Sequence, residues 1–298
     1  MAAQTERVRG AVVHQQTPSH RLTIIQLLAP ATLALLVFFV LPLLWLLRMS
    51  FNRGLPSGAI ESAFTLENYI TFLTDDFFVR EIVRTIQLGL GVTVLTLIAS
   101  YPIALFLARS TSRWRGVLVA LAIAPLLTST VVRTYGWMVL LGTDGVVNTV
   151  LGWIGFVDTP LRLINNMTGV VIGLVEILMP YMILGLLSGF GRFDRDLENA
   201  AMSLGAGPVR TFLRVTLPLS LPGIATGCLL VFVLTISSFV TPRLLGGGRV
   251  FLMATEVYNQ ATYTLNWPFA SAISFVLLLL FGVVITGYIR MLRTIEQQ

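Results

Sequence analysis

Few residues in this chain are of types that do chemistry. It has two histidines, His14 and His20, a single cysteine, Cys228, and no lysine at all. The missing lysine excludes two activities. A P-loop needs the lysine of GxxxxGK[ST] to reach a nucleotide's phosphates, and a Schiff-base enzyme needs a lysine amine. A lone cysteine cannot close an internal disulfide. With Cys228 in an apolar run and both histidines near the N-terminus, no Cys/His zinc spacing exists either, so no metal site is expected. No GxSxG serine, HExxH pair or base-flanked His or Cys falls in an apolar segment, and no catalytic residue is expected. What remains are two ionisable residues where charge is costly, Arg133 and Glu176, each inside an apolar run.

The elements that must position them follow from composition. Of 298 residues, 55% are hydrophobic and 11% charged, against about 25% charged in soluble domains, and the mean hydropathy is +0.84. This is the composition of an integral membrane protein. Six apolar runs reach the roughly 20 residues that a bilayer crossing needs: Ile24–Leu47, Thr85–Leu107, Val117–Leu141, Gly169–Ser188, Gly223–Leu245 and Ala270–Tyr288. The first is too long for a signal-peptide core and no small-residue cleavage site follows it, so it reads as a retained span. The expected fold is all-α, with six transmembrane helices in one membrane domain, residues 22–293. A polar tail, 1–21, precedes it and a short tail, 294–298, follows.

A net charge of +6 and a pI near 10.1 could suggest a nucleic-acid partner. Here the arginines are scattered through loops between apolar runs, which the positive-inside rule explains better. One side collects Arg7, Arg9, Arg21, Arg109, Arg113, Arg115, Arg192, Arg195, Arg210, Arg214, Arg290 and Arg293. The other keeps Arg48, Arg53, Arg80, Arg84, Arg162, Arg243 and Arg249, offset in its first loop by Glu61, Glu67, Asp75, Asp76 and Glu81. Both termini are therefore expected in the cytoplasm. Of the outer loops, 48–84 reads as carrying a short interfacial helix and 142–168 as an interfacial turn or half-helix. The glycines 246–248 read either as a plain loop or as a re-entrant element that meets a delivery protein or a partner subunit.

On this topology, at about 1.5 Å per residue, Arg133 and Glu176 lie roughly 12 and 10 Å below the outer ends of their helices, close enough in depth to pair. Two readings stand. They form an ion pair that fixes the packing of two spans, or Glu176, with Tyr135 and Trp137, contributes to a pathway for a cationic solute. Ser237, Ser238 and Phe239 fall at a similar depth in the fifth run and could line the same cavity. Serines in spans also commonly bond to backbone or to a neighbouring helix.

The longest cytoplasmic segment, residues 189–222, contains LENAAMSLGAGPVRTFLRVTLPLSLP. Leu197, Ala200, Ala201 and Leu204 recur at i, i+3, i+4 and i+7, one face of a helix. Gly205, Ala206 and Gly207 end that helix, and Pro208 suits the first position of the next. The second segment places Val209, Phe212, Leu213 and Leu217 on one face and Arg210 and Arg214 on the other. Pro218 and Pro222 then redirect the chain into the fifth span. An amphipathic loop of this kind could rest on lipid headgroups. Its small, shallow apolar face of alanine and glycine would anchor poorly there, yet it allows close approach of another protein.

Residues 199–218 resemble the cytoplasmic signature loop of inner-membrane permease subunits of binding-protein-dependent ABC importers, with the pattern E-A-A, three residues, G, nine residues, I-x-L-P. The chain reads Asn199-Ala200-Ala201, three residues, Gly205, nine residues, Val215-Thr216-Leu217-Pro218. Asn199 stands where the family has glutamate and Val215 where it has isoleucine. The family glutamate is expected to meet a basic residue of the ATPase. Asn199 lacks that charge, and neighbouring Glu198 is the carboxylate that could take its place. LTSTVVRTYGWMVLLGTDGVVN, LMPYMILGLLSGF, SSFVTPRLLGGG and NWPFASAISFVLL look like the polyamine and opine branch, and the resemblance spans residues 22–293.

The resemblance implies a type I importer permease in the bacterial inner membrane, with the loop as a coupling helix seated in an ATPase groove. The coupling residues it implies are Glu198, Asn199, Ala200, Ala201, Leu204, Gly205, Ala206, Phe212, Arg214 and Pro218. It also implies the partners: a second homologous permease, a cytoplasmic ATPase dimer that binds ATP and Mg, and a periplasmic solute-binding protein. This chain would bind no cofactor of its own. The solute class implied is a small amine such as putrescine or spermidine. The rival is a secondary transporter driven by an ion gradient, for which inverted repeats and paired broken helices would be expected; the sequence offers neither.

Overall fold

The computed structural model describes residues 20–55, 57–191 and 196–296. Most of the expected polar tail, Arg192 and Arg195, and the last two residues therefore lie outside the described residues. Residues up to Met49 form one unit and Ser50–Gln298 a second. In the first, α1 (His20–Leu35) and α2 (Leu41–Ser50) are joined by a π turn over Leu36–Val40. The wide turn has a local cause. Pro42 offers no N–H to the carbonyl of Phe38, and its ring would collide with that carbonyl; an extra residue in the turn opens the gap.

In the second unit a short hairpin, β1 (Arg53–Gly54) paired antiparallel with β2 (Ile60–Glu61), leads to α3 (Glu67–Thr74). A short helix was expected in this loop, and α3 is that helix. Asn68 pins it by donating to the carbonyls of Ser50 and Asn52, both at 2.8 Å. Next comes α4 (Asp76–Arg109), which starts well before the expected second span because the Asp75 carboxylate caps it, accepting from the Phe77 N–H at 2.8 Å. There follow α5 (Arg115–Ile123), α6 (Thr130–Leu141), α7 (Val146–Trp153), α8 (Met167–Phe190), α9 (Asp196–Ser203) and α10 (Pro208–Thr211). The chain ends with α11 (Leu217–Ser237), α12 (Val240–Leu245), α13 (Met253–Thr262) and α14 (Trp267–Glu296). The last helix runs past residue 293, into the expected C-terminal tail.

Five helices among the described residues are long and apolar enough to cross a membrane, and a sixth crossing exists if one bent pair counts as a single span. That pair corrects the expected third span. Instead of one straight helix over Val117–Leu141, Arg115–Leu127 and Thr130–Trp153 meet at 95°. The first arm tightens into a 3-10 turn over Ala124–Leu127, with Pro125 as its second residue, and Thr128 is then extended, with φ −99° and ψ 137°.

The fifth apolar run is corrected at both ends. Pro218 and Pro222 do not redirect the chain. A π turn over Phe212–Thr216 absorbs Pro218 by the same device as in the first helix, and α10 runs through it into α11. At the far end α11 stops at Ser237, Ser238 is extended, and α12 starts afresh. Pro242 explains the restart: within the first turn of a new helix its missing N–H has no intrahelical acceptor to lose.

The core is built on α4, α8 and α11, with Val92, Leu174, Met182, Leu186 and Val231 essentially inaccessible. The α8–α11 contact is backbone against backbone. A Cβ on Gly185 would stand 2.6 Å from the Cα of Gly227, and one on Gly189 would stand 2.5 Å from the Cα of Gly223. Glycines four apart on both helices are what permits this approach, the small-xxx-small arrangement of membrane helices. A second cluster, Phe72, Met253, Phe269, Ile273 and Leu277, joins α3, α13 and α14.

Candidate functional site: coupling loop and intramembrane ion pair

The loop's first helix, α9, ends in a glycine turn. Gly205 has φ +82°, its N–H donates to the Met202 carbonyl at 2.9 Å, and the Ala206 N–H donates back to the Ala201 carbonyl at 3.1 Å. This is the Schellman pattern, in which the amide of a left-handed residue and the amide after it close the last turn. Nothing lies within 4 Å of where a Gly205 Cβ would be. Glycine is required here by backbone conformation and not by space.

Above that turn the apolar face stands in the open. Leu204 is 90% exposed, Leu197 and Met202 are each 49% exposed, and Asn199 and Ala200 are also at the surface, with Ala201 and Ala206 half-buried. On α10 and the π turn, Val209 and Leu213 face outward. Phe212, expected on the same face, turns inward and meets Tyr101 edge-on at 5.9 Å. Arg214 and Pro218 are exposed.

Glu198, the carboxylate expected to take the place of the motif glutamate, is engaged within this chain. Its carboxylate is turned inward, with the side chain 13% exposed, paired with the Arg109 guanidinium at the end of α4 and accepting from the Thr216 hydroxyl. Arg109 also donates to Thr216 Oγ1 at 3.2 Å. This triangle braces α9 against two spans. Beside it, the Tyr101 hydroxyl lies 3.0 Å from Ser220 Oγ, and its ring meets Phe190 edge-on at 5.7 Å. Arg109 and Thr216 carry no local sequence signal for this role, because the contact that defines it is long-range.

In the membrane-spanning part the expected pair is formed. Arg133 Nη2 donates to Glu176 Oε1 at 2.9 Å, and the side chains are 11% and 34% exposed. Arg133 also donates to the Glu176 carbonyl at 3.3 Å and to the Pro125 carbonyl at 3.1 Å, so one guanidinium ties both arms of the bent pair to α8. The Trp137 indole donates to Glu176 Oε2 at 2.9 Å. Arg133 and Trp137 share a helix face at i,i+4, and each carboxylate oxygen has one donor. Glu176 also reaches the wall of an otherwise apolar cavity of about 360 Å³, which includes Ile103, Phe106, Pro125, Met179 and Ile183.

The other expected pathway residues are not brought to this pair. Tyr135 lies on the opposite side of α6 and is 54% exposed. Ser237 Oγ bonds back to the Val233 carbonyl at 2.9 Å, the local role common for serine in a span, and Ser238 is the half-buried cap of α11. Phe239 stacks on Tyr258 at 5.3 Å, in a cluster where the Arg243 guanidinium stands over Tyr263 at 5.3 Å. None of these residues enters the wall of the Glu176 cavity. The Arg243 cluster was not legible in the sequence, since the contacts that form it join α12 to α13 and the residue after it.

Residues 100–294 match the family described as binding-protein-dependent transport system inner membrane component. The chain belongs to that family. It is 34% identical over 264 residues to the Escherichia coli (strain K12) spermidine/putrescine transport system permease protein PotB, a match covering 89% of this chain and 96% of the relative. With PotB of Haemophilus influenzae it shares 36% identity over 256 residues, covering 86% and 89% respectively. Among solved structures it is similar to a chain of a bacterial alginate ABC transporter in complex with an alginate pentasaccharide-bound periplasmic protein. There the TM-score is 0.73 at 19% identity, over 93% of this chain and 96% of that one. A chain of the MetNI methionine ABC transporter matches with TM-score 0.55 at 15% identity, over 73% and 95%. The fold is therefore that of an ABC importer permease, and the chain is a multi-pass inner-membrane permease subunit, not an enzyme.

Proposed function

We propose that this permease forms half of a translocation pathway for a small amine-bearing solute of the putrescine and spermidine class. Its partners are a second homologous permease, a dimer of cytoplasmic ATPase subunits holding ATP and Mg, and a periplasmic solute-binding protein. The observation that carries the coupling role is the α9 face. A helix held rigidly from behind by Glu198, Arg109 and Thr216, with Leu204 exposed in front, has the build of a lever that meets another protein. The coupling surface is Asn199, Ala200, Leu204, Gly205 and Arg214, with Ala201, Ala206, Phe212 and Pro218 as its frame. The solute class rests on the similarity to PotB over most of both chains, and both termini lie in the cytoplasm on the strength of the arginine distribution.

The Arg133–Glu176–Trp137 group is architecture on this reading. Both carboxylate oxygens are engaged, and a cation would have to displace a guanidinium held by three acceptors. The test is purification of the tagged permease from its native membrane in mild detergent, identification of the co-purifying chains, and reconstitution of the complex in proteoliposomes. ATP-dependent uptake of radiolabelled putrescine or spermidine supports the proposal. A permease that comes out alone after crosslinking overturns it, and an ATP-coupled complex indifferent to amines overturns the solute class.

A further inference from the structure

One acid is buried without a partner. Glu81, near the start of α4, is 1% exposed, and neither of its carboxyl oxygens has a hydrogen-bond or ion-pair partner among the described residues. A second acid, Glu256 on α13, is 6% exposed. A direct bond between the two helices brings the acids to one place. The Met253 N–H donates to Thr85 Oγ1 at 3.0 Å, and that hydroxyl donates to the Glu81 carbonyl at 2.7 Å. Glu81 stands one turn before Thr85 and Glu256 one turn after Met253, so both acids flank the same contact. Burial penalises the ionised form of Glu81 most and the Glu256 carboxylate next, with Arg84 opposing both. Arg84 is exposed and forms no ion pair among the described residues. The other elements packed on α4 bring no compensating charge. Helix α11 has no charged residue and α14 none before Arg290. On α3, Glu67 is paired with Arg53, and on α8, Glu176 is paired with Arg133. Arg115 of α5 is bonded to the Leu107 carbonyl, at the other end of α4.

The two acids differ in their surroundings. Glu256 accepts from Gln260 Nε2 at 2.7 Å and from Asn259 Nδ2 at 3.3 Å, and N–H donors favour the charged form of a carboxylate. Glu81 has no donor. An unpaired carboxylate out of water is so costly that such a group takes up a proton or a cation instead. A metal ion would need several oxygens, about six to eight for calcium, and the amide oxygens beside Glu256 are spent. Asn259 Oδ1 accepts from Arg243 at 3.4 Å, and Gln260 Oε1 accepts from the Thr264 hydroxyl at 2.7 Å. A proton needs one oxygen.

We propose that Glu81 is a proton-binding site that holds α13 against α4, and that loss of the proton sets two like charges against each other and releases α13. Tyr258 and Asn259 of α13 hold Phe239 and Arg243, so release loosens that aromatic cluster as well. Glu81 lies at the opposite end of α4 from Arg109 and α9, so on the topology proposed above the site answers to pH outside the cell. The sign follows from linkage. The folded chain keeps a proton that the unfolded chain gives up in the ordinary carboxyl range, so stability falls as pH rises beyond that range. The test uses the full-length permease in nanodiscs, from about pH 6 to about pH 9. The protonated-carboxyl infrared band, the melting temperature and hydrogen exchange in α13 are followed together. Wild type is expected to show a band at neutral pH that Glu81→Gln lacks. Toward alkaline pH it should lose that band, melt earlier and lose protection in α13, while Glu81→Gln stays protected. In Glu256→Gln, with the neighbouring charge removed, the band should titrate roughly one pH unit lower. A wild-type spectrum without that band overturns the inference, and so does alkaline loss of protection equal in wild type and Glu81→Gln. Should Glu81→Gln fail to fold, a band that Glu256→Gln leaves unmoved overturns it. Stabilisation of wild type by added calcium or magnesium, absent in Glu256→Gln, would assign the acids to a metal ion and overturn it too.

Discussion

The cytoplasmic loop and the Arg133–Glu176 site both contain an ion pair, and they use it in opposite ways. In the membrane, Arg133 and Trp137 each engage one oxygen of the Glu176 carboxylate and Arg133 also reaches two backbone carbonyls, leaving its buried Nε without a partner among the described residues. In the loop, Glu198 and Arg109 are satisfied behind the helix while Leu204, Met202 and Val209 stand exposed in front. A carboxylate with both oxygens engaged fits the architectural role proposed for it, and an apolar face backed by a brace fits the proposed contact with a partner.

The comparison can be broken by asking which variants lose transport without losing stability. Gly205→Val is expected to have the largest effect. A left-handed non-glycine residue costs about 1–2 kcal/mol, a β-branched one more, so the Schellman turn is lost and ATP-driven uptake with it, while the amount of protein in the membrane is unchanged. Gly205→Ala meets the same left-handed penalty without the β-branch and should lose somewhat less activity; a fully active alanine variant beside an inactive valine one would point to bulk at a contact and not to conformation. Glu198→Gln comes next. Weakening a charged hydrogen bond worth about 1.5–3 kcal/mol frees α9 from its brace, and uptake should fall roughly tenfold, with ATP hydrolysis persisting uncoupled from solute. A variant that retains tight coupling would remove the brace from the account.

Leu204→Ser is smaller in transport and smaller still in stability. With the side chain exposed, melting of the purified permease should move by less than about 0.5 kcal/mol, yet uptake should drop severalfold and co-purification of the ATPase should weaken. Arg133→Gln is expected to reverse the ranking. Removing one member of a buried pair costs about 3–5 kcal/mol, toward the lower end here because Glu176 is partly exposed, so yield and melting temperature fall while uptake per folded complex changes least. If uptake per folded complex collapses while stability holds, the pair belongs to the solute pathway.

Much of this was legible in the sequence because it is local. The apolar runs, the Gly205 turn, the helix face of Leu197, Ala200, Ala201 and Leu204, and the matched depth of Arg133 and Glu176 all follow from composition, periodicity and rise per residue. The errors have equally physical origins. Pro218 and Pro222 looked like breaks because a proline removes a hydrogen bond, but an added residue in the turn relieves the clash and the helix continues. The third run looked straight because hydropathy does not register the 3-10 turn at Pro125.

Sequence alone determined that this is a multi-span membrane protein whose basic residues are all arginine, without the lysine of a P-loop, and with an amphipathic, glycine-broken loop at 197–218 that resembles the signature loop of importer permeases. Those conclusions depend on which side chains exist and on near-neighbour spacing. Only the tertiary structure decided that Glu198 braces α9 from behind, that Trp137 completes the Glu176 site while Tyr135 faces away, and that Glu81 and Glu256 flank one contact. Each of these depends on which distant segments meet. Helix periodicity fixes the direction of a side chain relative to its own helix, and only packing fixes what lies in that direction.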